Sequence, residues 1–202
     1  MTIASTTDID IRKALHATVL QPHHNCPDTI ILNELGLANA SARIDVAVLN
    51  GCLHGYEIKS AVDTMRRLPR QIGLYAECLE KLTIVCAPRH LEAVDKIVPP
   101  WCGIVEAEKS DQDEINFVTR RASQRNENIQ GHRLAHLLWR QEAVDILTSQ
   151  NLPAKALRQP RKQLYLEIAE RFTVAEITAY IKSAMAARQA WRDPQARASY
   201  GG

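Results

Sequence analysis

An acid and a lysine, Glu57 and Lys59, stand two residues apart in the stretch YEIKS at residues 56–60. On an extended strand, side chains two apart project from one face of the sheet. Asp45 lies in the preceding segment, ARIDVAVLNG, which the Asn50-Gly51 pair turns back onto the YEIKS strand as a hairpin. The register set by that turn brings Asp45 beside Glu57 and Lys59, and Glu34 on the strand before completes the group. Three carboxylates on one face repel one another unless a cation or protons intervene. Mg²⁺ or Mn²⁺ suits such a group, taking one or two carboxylates and leaving its other positions to water and phosphate. A neighbouring lysine then orients a metal-bound water for attack on a phosphodiester and offsets the developing charge. The plain alternative is two solvated charges on an exposed strand edge.

The elements that must hold these residues are legible from periodicity. Residues 8–20 space their apolar side chains as a helix does, and the polar QPHHNCPD that follows reads as a loop. TIILNELGL changes to a β-branched, period-two pattern, with Ile30, Leu32 and Glu34 on one face. After a polar ANAS turn, Ile44, Val46 and Val48 share one face of the next strand and Asp45 and Ala47 the other. Pro69 splits the following helical stretch into a short helix to about Arg67 and a second starting at the proline. LTIVCAP reads as a buried strand, HLEAVDKIV as a helix and CGIVEAE as a final strand. This order predicts an α/β domain with a mixed sheet over residues 1–107. Residues 108–131 read as a polar linker, partly helical around INFVTRR, and residues 132–202 as three amphipathic helices whose last residues, RDPQARASYGG, fray.

The order helix, strand with Glu34, strand with Asp45, strand with EIK, helix, strand resembles the αβββαβ core of the PD-(D/E)xK nuclease superfamily. That superfamily includes many restriction enzymes, archaeal Holliday-junction resolvases and RecB-type nucleases. Asp45 matches its metal-binding Asp, and Glu57 and Lys59 match its E-x-K pair. QIGLY supplies Gln71 and Tyr75 at the Q-x-x-x-Y spacing that RecB-type members carry on the next helix, where i and i+4 share a side. RIDVAV, GYEIKS and RLPRQ together also look like a small bacterial family built on this core. The resemblance covers residues 8–107 and implies a restriction-endonuclease-like fold and a Mg²⁺-dependent nuclease acting on DNA in repair, recombination or phage defence. In that reading Asp45 and Glu57 bind the metal, the Ile58 carbonyl is a further ligand and Glu34 assists. Lys59 orients or activates water, and Gln71 and Tyr75 hold phosphate or brace the acids. A homodimer is a further expectation, since one such site reaches one strand. Two departures stand out: Ile44 occupies the position of the superfamily's proline, and Glu34 lies on a strand where many relatives carry their first acid on a helix.

Other features carry plainer readings. Arg66, Arg67 and Arg70 could touch backbone phosphate, or Arg67 could simply pair with Asp63 at i,i+4. His132 and His136 share a helix face but lack the glutamate of a zinc-protease helix, so surface or core histidines are expected, with Leu137, Leu138 and Trp139 as packing residues. The five cysteines are scattered without a C-x-x-C pair, which predicts reduced, mostly buried thiols. The acidic start, MTIASTTDIDIRK, is unlike a secretory signal, and no long apolar run is present; a cytoplasmic protein is expected. Charge is uneven: residues 1–131 hold 14 Lys and Arg against 17 Asp and Glu, and residues 132–202 hold 11 against 6. Arg158, Arg161 and Lys162 gather where a tail helix begins, and helix N-terminal amides favour anions. The rival to the nuclease is therefore a catalytically silent nucleic-acid-binding or regulatory protein on the same fold, its basic tail doing the recognition. An interaction module whose tail helices dimerise or dock a partner is the third reading.

Overall fold

The computed structural model describes residues 6–38 and 41–192, and the chain divides into two compact units, Met1–Asn128 and Ile129–Gly202. The first opens with α1 (Asp8–Ala17), capped by reciprocal bonds: the Thr7 hydroxyl accepts the Asp10 N–H and the Asp10 carboxylate accepts the Thr7 N–H. Ile11 and Leu15, four residues apart, bury one side of it. Where a loop is expected, QPHH forms the short helix α2 (Gln21–His24), because a proline in the first turn forfeits no intrahelical bond.

Strands β1 (Ile30–Leu37), β2 (Ala42–Leu49) and β3 (Leu53–Lys59) follow as an antiparallel meander turning at Gly51, whose φ of 71° is one that glycine adopts without strain. Asn39 and Ala40 of the expected ANAS turn lie outside the described residues. A 3₁₀ turn (Met65–Arg67) leads into α3 (Leu68–Ala76), with Pro69 in its first turn as the sequence requires. Strand β4 (Lys81–Cys86), α4 (Leu91–Ile97), β5 (Gly103–Lys109) and β6 (Ile115–Arg121) complete the unit. The sheet runs β1-β2-β3-β4-β5-β6, parallel from β3 to β5 and antiparallel elsewhere, so the fold is mixed α/β.

Two expectations are corrected here. Residues 115–121 form an edge strand rather than a partly helical linker: Ile115 and Phe117 pack on the core while Asn116, Val118 and Arg120 face out. Beyond it the chain is tied down, since the buried Asn126 amide donates to the Ala76 and Leu79 carbonyls at 2.7 and 3.0 Å. In β2, Ile44 does not share a face with Val46 and Val48. Those two valines join Ile11, Tyr56 and Ile58 in one core cluster, whereas Ile44 lies against Gly55, on the other side of β3. Pairing of β2 with β3 ends at Val46, and Asp45 is passed over in the pairing of β2 with β1 as well.

Gly103 sits where an added Cβ would meet the Ser123 backbone N and Thr83 Oγ1, both at 2.9 Å. Backbone cannot yield as a side-chain tip can. Gly103→Ala is expected to lower stability by about 1–3 kcal/mol, read as a drop in the urea midpoint with unchanged slope.

The second unit contains α5 (Gly131–Ala135), α6 (Arg140–Ser149), α7 (Ala154–Leu157), α8 (Arg161–Arg171) and α9 (Val174–Arg192). The first expected tail helix is broken because Glu142 reaches back to accept the Trp139 N–H at 2.6 Å and starts α6 anew. Leu134, Leu138, Leu147, Leu164, Tyr165 and Ile177 form its core, with the Tyr165 hydroxyl donating to the Leu138 carbonyl at 2.6 Å. Trp139 is not buried as expected but 54% exposed, with the Arg188 guanidinium 4.3 Å above its ring. The residues expected to fray lie, from 193 onward, outside the described residues. The five cysteines are free, and Cys78, Cys86 and Cys102 are buried. Among the described residues no helix is long and apolar enough to cross a membrane.

A candidate functional site of buried acids, lysine and arginine

Strand β3 aims Glu57 and Lys59 at α3, and α3 returns Gln71 and Tyr75, one turn apart, to the same point. Lys59 Nζ donates to Glu57 Oε1 at 2.5 Å, and Gln71 Nε2 donates to the same oxygen at 2.8 Å. The Tyr75 hydroxyl lies 2.6 Å from Glu57 Oε2 and 2.7 Å from the Arg43 carbonyl oxygen, so one proton serves two acceptors; it also accepts from Gln71 at 3.2 Å. Lys59 Nζ further reaches Gln71 Oε1 at 3.3 Å. Glu57 and Lys59 are both buried. Burial and the adjoining Glu57 charge raise the Tyr75 phenol well above its ordinary range, so it stays protonated.

Asp45 joins the group from β2. Its Oδ2 accepts the Ile58 N–H at 2.6 Å, supplying the acceptor that the interrupted strand ladder no longer provides, and its Oδ1 accepts from Arg12 Nη2 of α1 at 3.2 Å. Burial and the charge of Glu57 push Asp45 up to about 7, outweighing the Ile58 amide and Arg12, which both pull it down.

Glu34 meets the others only indirectly. It interrupts the β1–β2 ladder with a left-handed φ of 56° and is linked to Asp45 through Arg12, whose guanidinium binds Glu34, Asp45 and Asp8 together. A second cation, Arg43, stands 3.7 Å from Glu34. Sequence reading does not single out Arg12; its signal is the i,i+4 spacing from Asp8 on a helix whose inner side is apolar. Arg67 stays outside the network, exposed on the 3₁₀ turn, and does not pair with Asp63, whose Oδ2 accepts the Ser60 N–H and hydroxyl.

Asp45, Glu57, Lys59, Gln71 and Tyr75 therefore converge, yet both oxygens of each acid already accept bonds from this chain. Each oxygen that a hydrated Mg²⁺ or Mn²⁺ would bind is thus shared with a donor of this chain, Arg12, Lys59, Gln71, Tyr75 or the Ile58 amide. Among the described residues no group of three or more His, Cys, Asp or Glu side chains is placed to hold a metal ion.

Fold and site define a mixed α/β protein with an internally neutralised charged cluster, followed by a helical unit. The chain belongs to the bacteriophage P4 protein cII family, which its residues 8–195 match. It is similar to protein cII of Enterobacteria phage P4, with 42% identity over 90 residues, 45% of this chain and 34% of that protein. The chain thus spans about a third of the length of this curated relative. No solved structure matches it. Membership in this family overturns the assignment to the PD-(D/E)xK superfamily, and with it the expected nuclease and hydrolase activity. The shared spacings have a simpler origin: period two on a strand and i,i+4 on a helix equally build a hydrogen-bonded structural network.

Proposed function

We propose that this chain is a non-catalytic, nucleic-acid-binding regulatory protein whose helical unit holds the phosphate backbone of duplex DNA. In this reading the α/β unit is a restriction-endonuclease-like scaffold, with Arg12 and Lys59 neutralising its acids in place of Mg²⁺ or Mn²⁺. One observation carries the reading. Lys155, Arg158, Arg161 and Lys162 are exposed within eight residues where α8 begins, and none forms an ion pair among the described residues. Arg140 supports the same segment by donating to the Leu157 and Gln159 carbonyls at 3.1 and 3.3 Å. Pro160 precedes α8 without a side-chain cap, so the first-turn amides add to the positive field.

Four cations on four phosphates contribute about −3.6 to the slope of log affinity against log salt. The full chain is expected to bind duplex DNA in EDTA with at least that slope and without forming cleavage products. The triple variant Arg158→Gln, Arg161→Gln, Lys162→Gln is expected to lose about 2.7 of the slope. Fluorescence anisotropy across salt concentrations reads both, and binding insensitive to salt, or none, refutes the proposal.

A further inference from the structure

Helix α3 turns Gln71 and Tyr75 inward to the buried cluster and leaves a different kind of surface outside. Arg70 on α3 and Arg66 and Arg67 on the 3₁₀ turn before it are exposed, and none forms an ion pair among the described residues. The acid placed to neutralise Arg67, Asp63, is held by Ser60 at 2.8 and 2.6 Å. Glu77, at the far end of α3, is half-buried. Arg70 and Gly73 stand three residues apart on the exposed side of α3, and Arg66 and Arg67 stand on the 3₁₀ turn that leads into it.

Gly73 is the second, independent observation. Gly55 and Gly103 have internal reasons to lack a side chain, because a Cβ on either would collide with a neighbour. A Cβ on Gly73 would meet nothing within 4 Å. Glycine in an exposed helix interior is disfavoured relative to alanine, and no contact among the described residues requires it here.

We propose that the exposed side of α3 and of the 3₁₀ turn before it, carrying Arg66, Arg67, Arg70 and Gly73, is a second surface for the phosphate backbone of duplex DNA, a proposal that rests on the nucleic-acid-binding reading above. Guanidinium groups without carboxylate partners match phosphate oxygens in pairs, and a helix without a side chain at Gly73 lets the backbone lie close. The bonds from Gln71 and Tyr75 to Glu57 hold the inner face fixed, so the outer face is presented rigidly.

The test titrates duplex DNA into the full chain across salt concentrations. The variant Arg66→Gln, Arg67→Gln, Arg70→Gln is expected to keep its thermal midpoint and lose about 2.7 of the slope, beyond the share lost in the tail variant. Gly73→Ala is expected to raise the thermal midpoint while weakening binding several-fold, a divergence that an idle surface glycine does not produce. An unchanged slope in the arginine variant, with the tail variant still losing its share, overturns this surface and leaves the tail reading standing. Unweakened binding by Gly73→Ala likewise overturns the close approach. Absence of salt-dependent binding by the unaltered chain overturns both readings.

Discussion

Lys59→Met is expected to lower the unfolding free energy by about 3–5 kcal/mol, the cost of leaving a buried charge without its partner. The lysine and Glu57 side chains are 10% and 3% exposed and 2.5 Å apart, so solvent screens neither. Without the ammonium, Gln71 and Tyr75 remain as neutral donors to a carboxylate that water cannot reach. The double variant Glu57→Gln, Lys59→Met removes both charges and is expected to recover most of the loss, because desolvation of the pair offsets much of its attraction. Urea denaturation of the two variants and the unaltered chain completes the comparison. A single variant costing under about 1 kcal/mol, as exposed pairs do, would show that the pair is solvated.

The second large effect is a dependence of stability on pH. Asp45 titrates near 7 in the folded chain, against 3.8 as its ordinary value. Its cause is burial first and the Glu57 charge second, with Asp8 adding to them; the Ile58 amide and Arg12 act in the opposite direction. Between these two values the folded state holds a proton that the unfolded state has lost, so stability falls as pH rises from about 4 to about 7 and levels above it. The contribution is on the order of 2–4 kcal/mol. Asp45→Asn keeps an acceptor for the Ile58 amide without the charge, and is expected to flatten the curve and raise the melting temperature at pH 8. Stability that instead climbs through this window would mean that Arg12 governs Asp45 and that burial does not.

Both expectations treat the cluster as a structural device, and here reading from spacing alone went astray. EIK and QIGLY predict which side chains share a face, and those faces do meet: Glu57, Lys59, Gln71 and Tyr75 are joined as their register implies. Spacing is silent on whether their polar atoms remain available. The acids accept bonds from Arg12, Lys59, Gln71, Tyr75 and the Ile58 amide, and the family to which the chain belongs is that of phage P4 protein cII.

From the sequence by itself came the meander of β1, β2 and β3, the break at Pro69, and the alternation of helix and strand through β5, because turn residues, proline and hydrophobic period act locally. Strand β6 escaped it, since an edge strand with one solvated face buries little apolar surface in a polar stretch. So did the start of α6 at Trp139, which depends on a single reach-back bond from Glu142. Only the tertiary structure decided what neutralises the acids. Arg12 arrives at Asp45 from 33 residues earlier, and Glu34 turns out of its strand to meet it. Such partners are chosen by how α1 packs on the sheet, and long-range packing leaves no period in the chain for a sequence pattern to report.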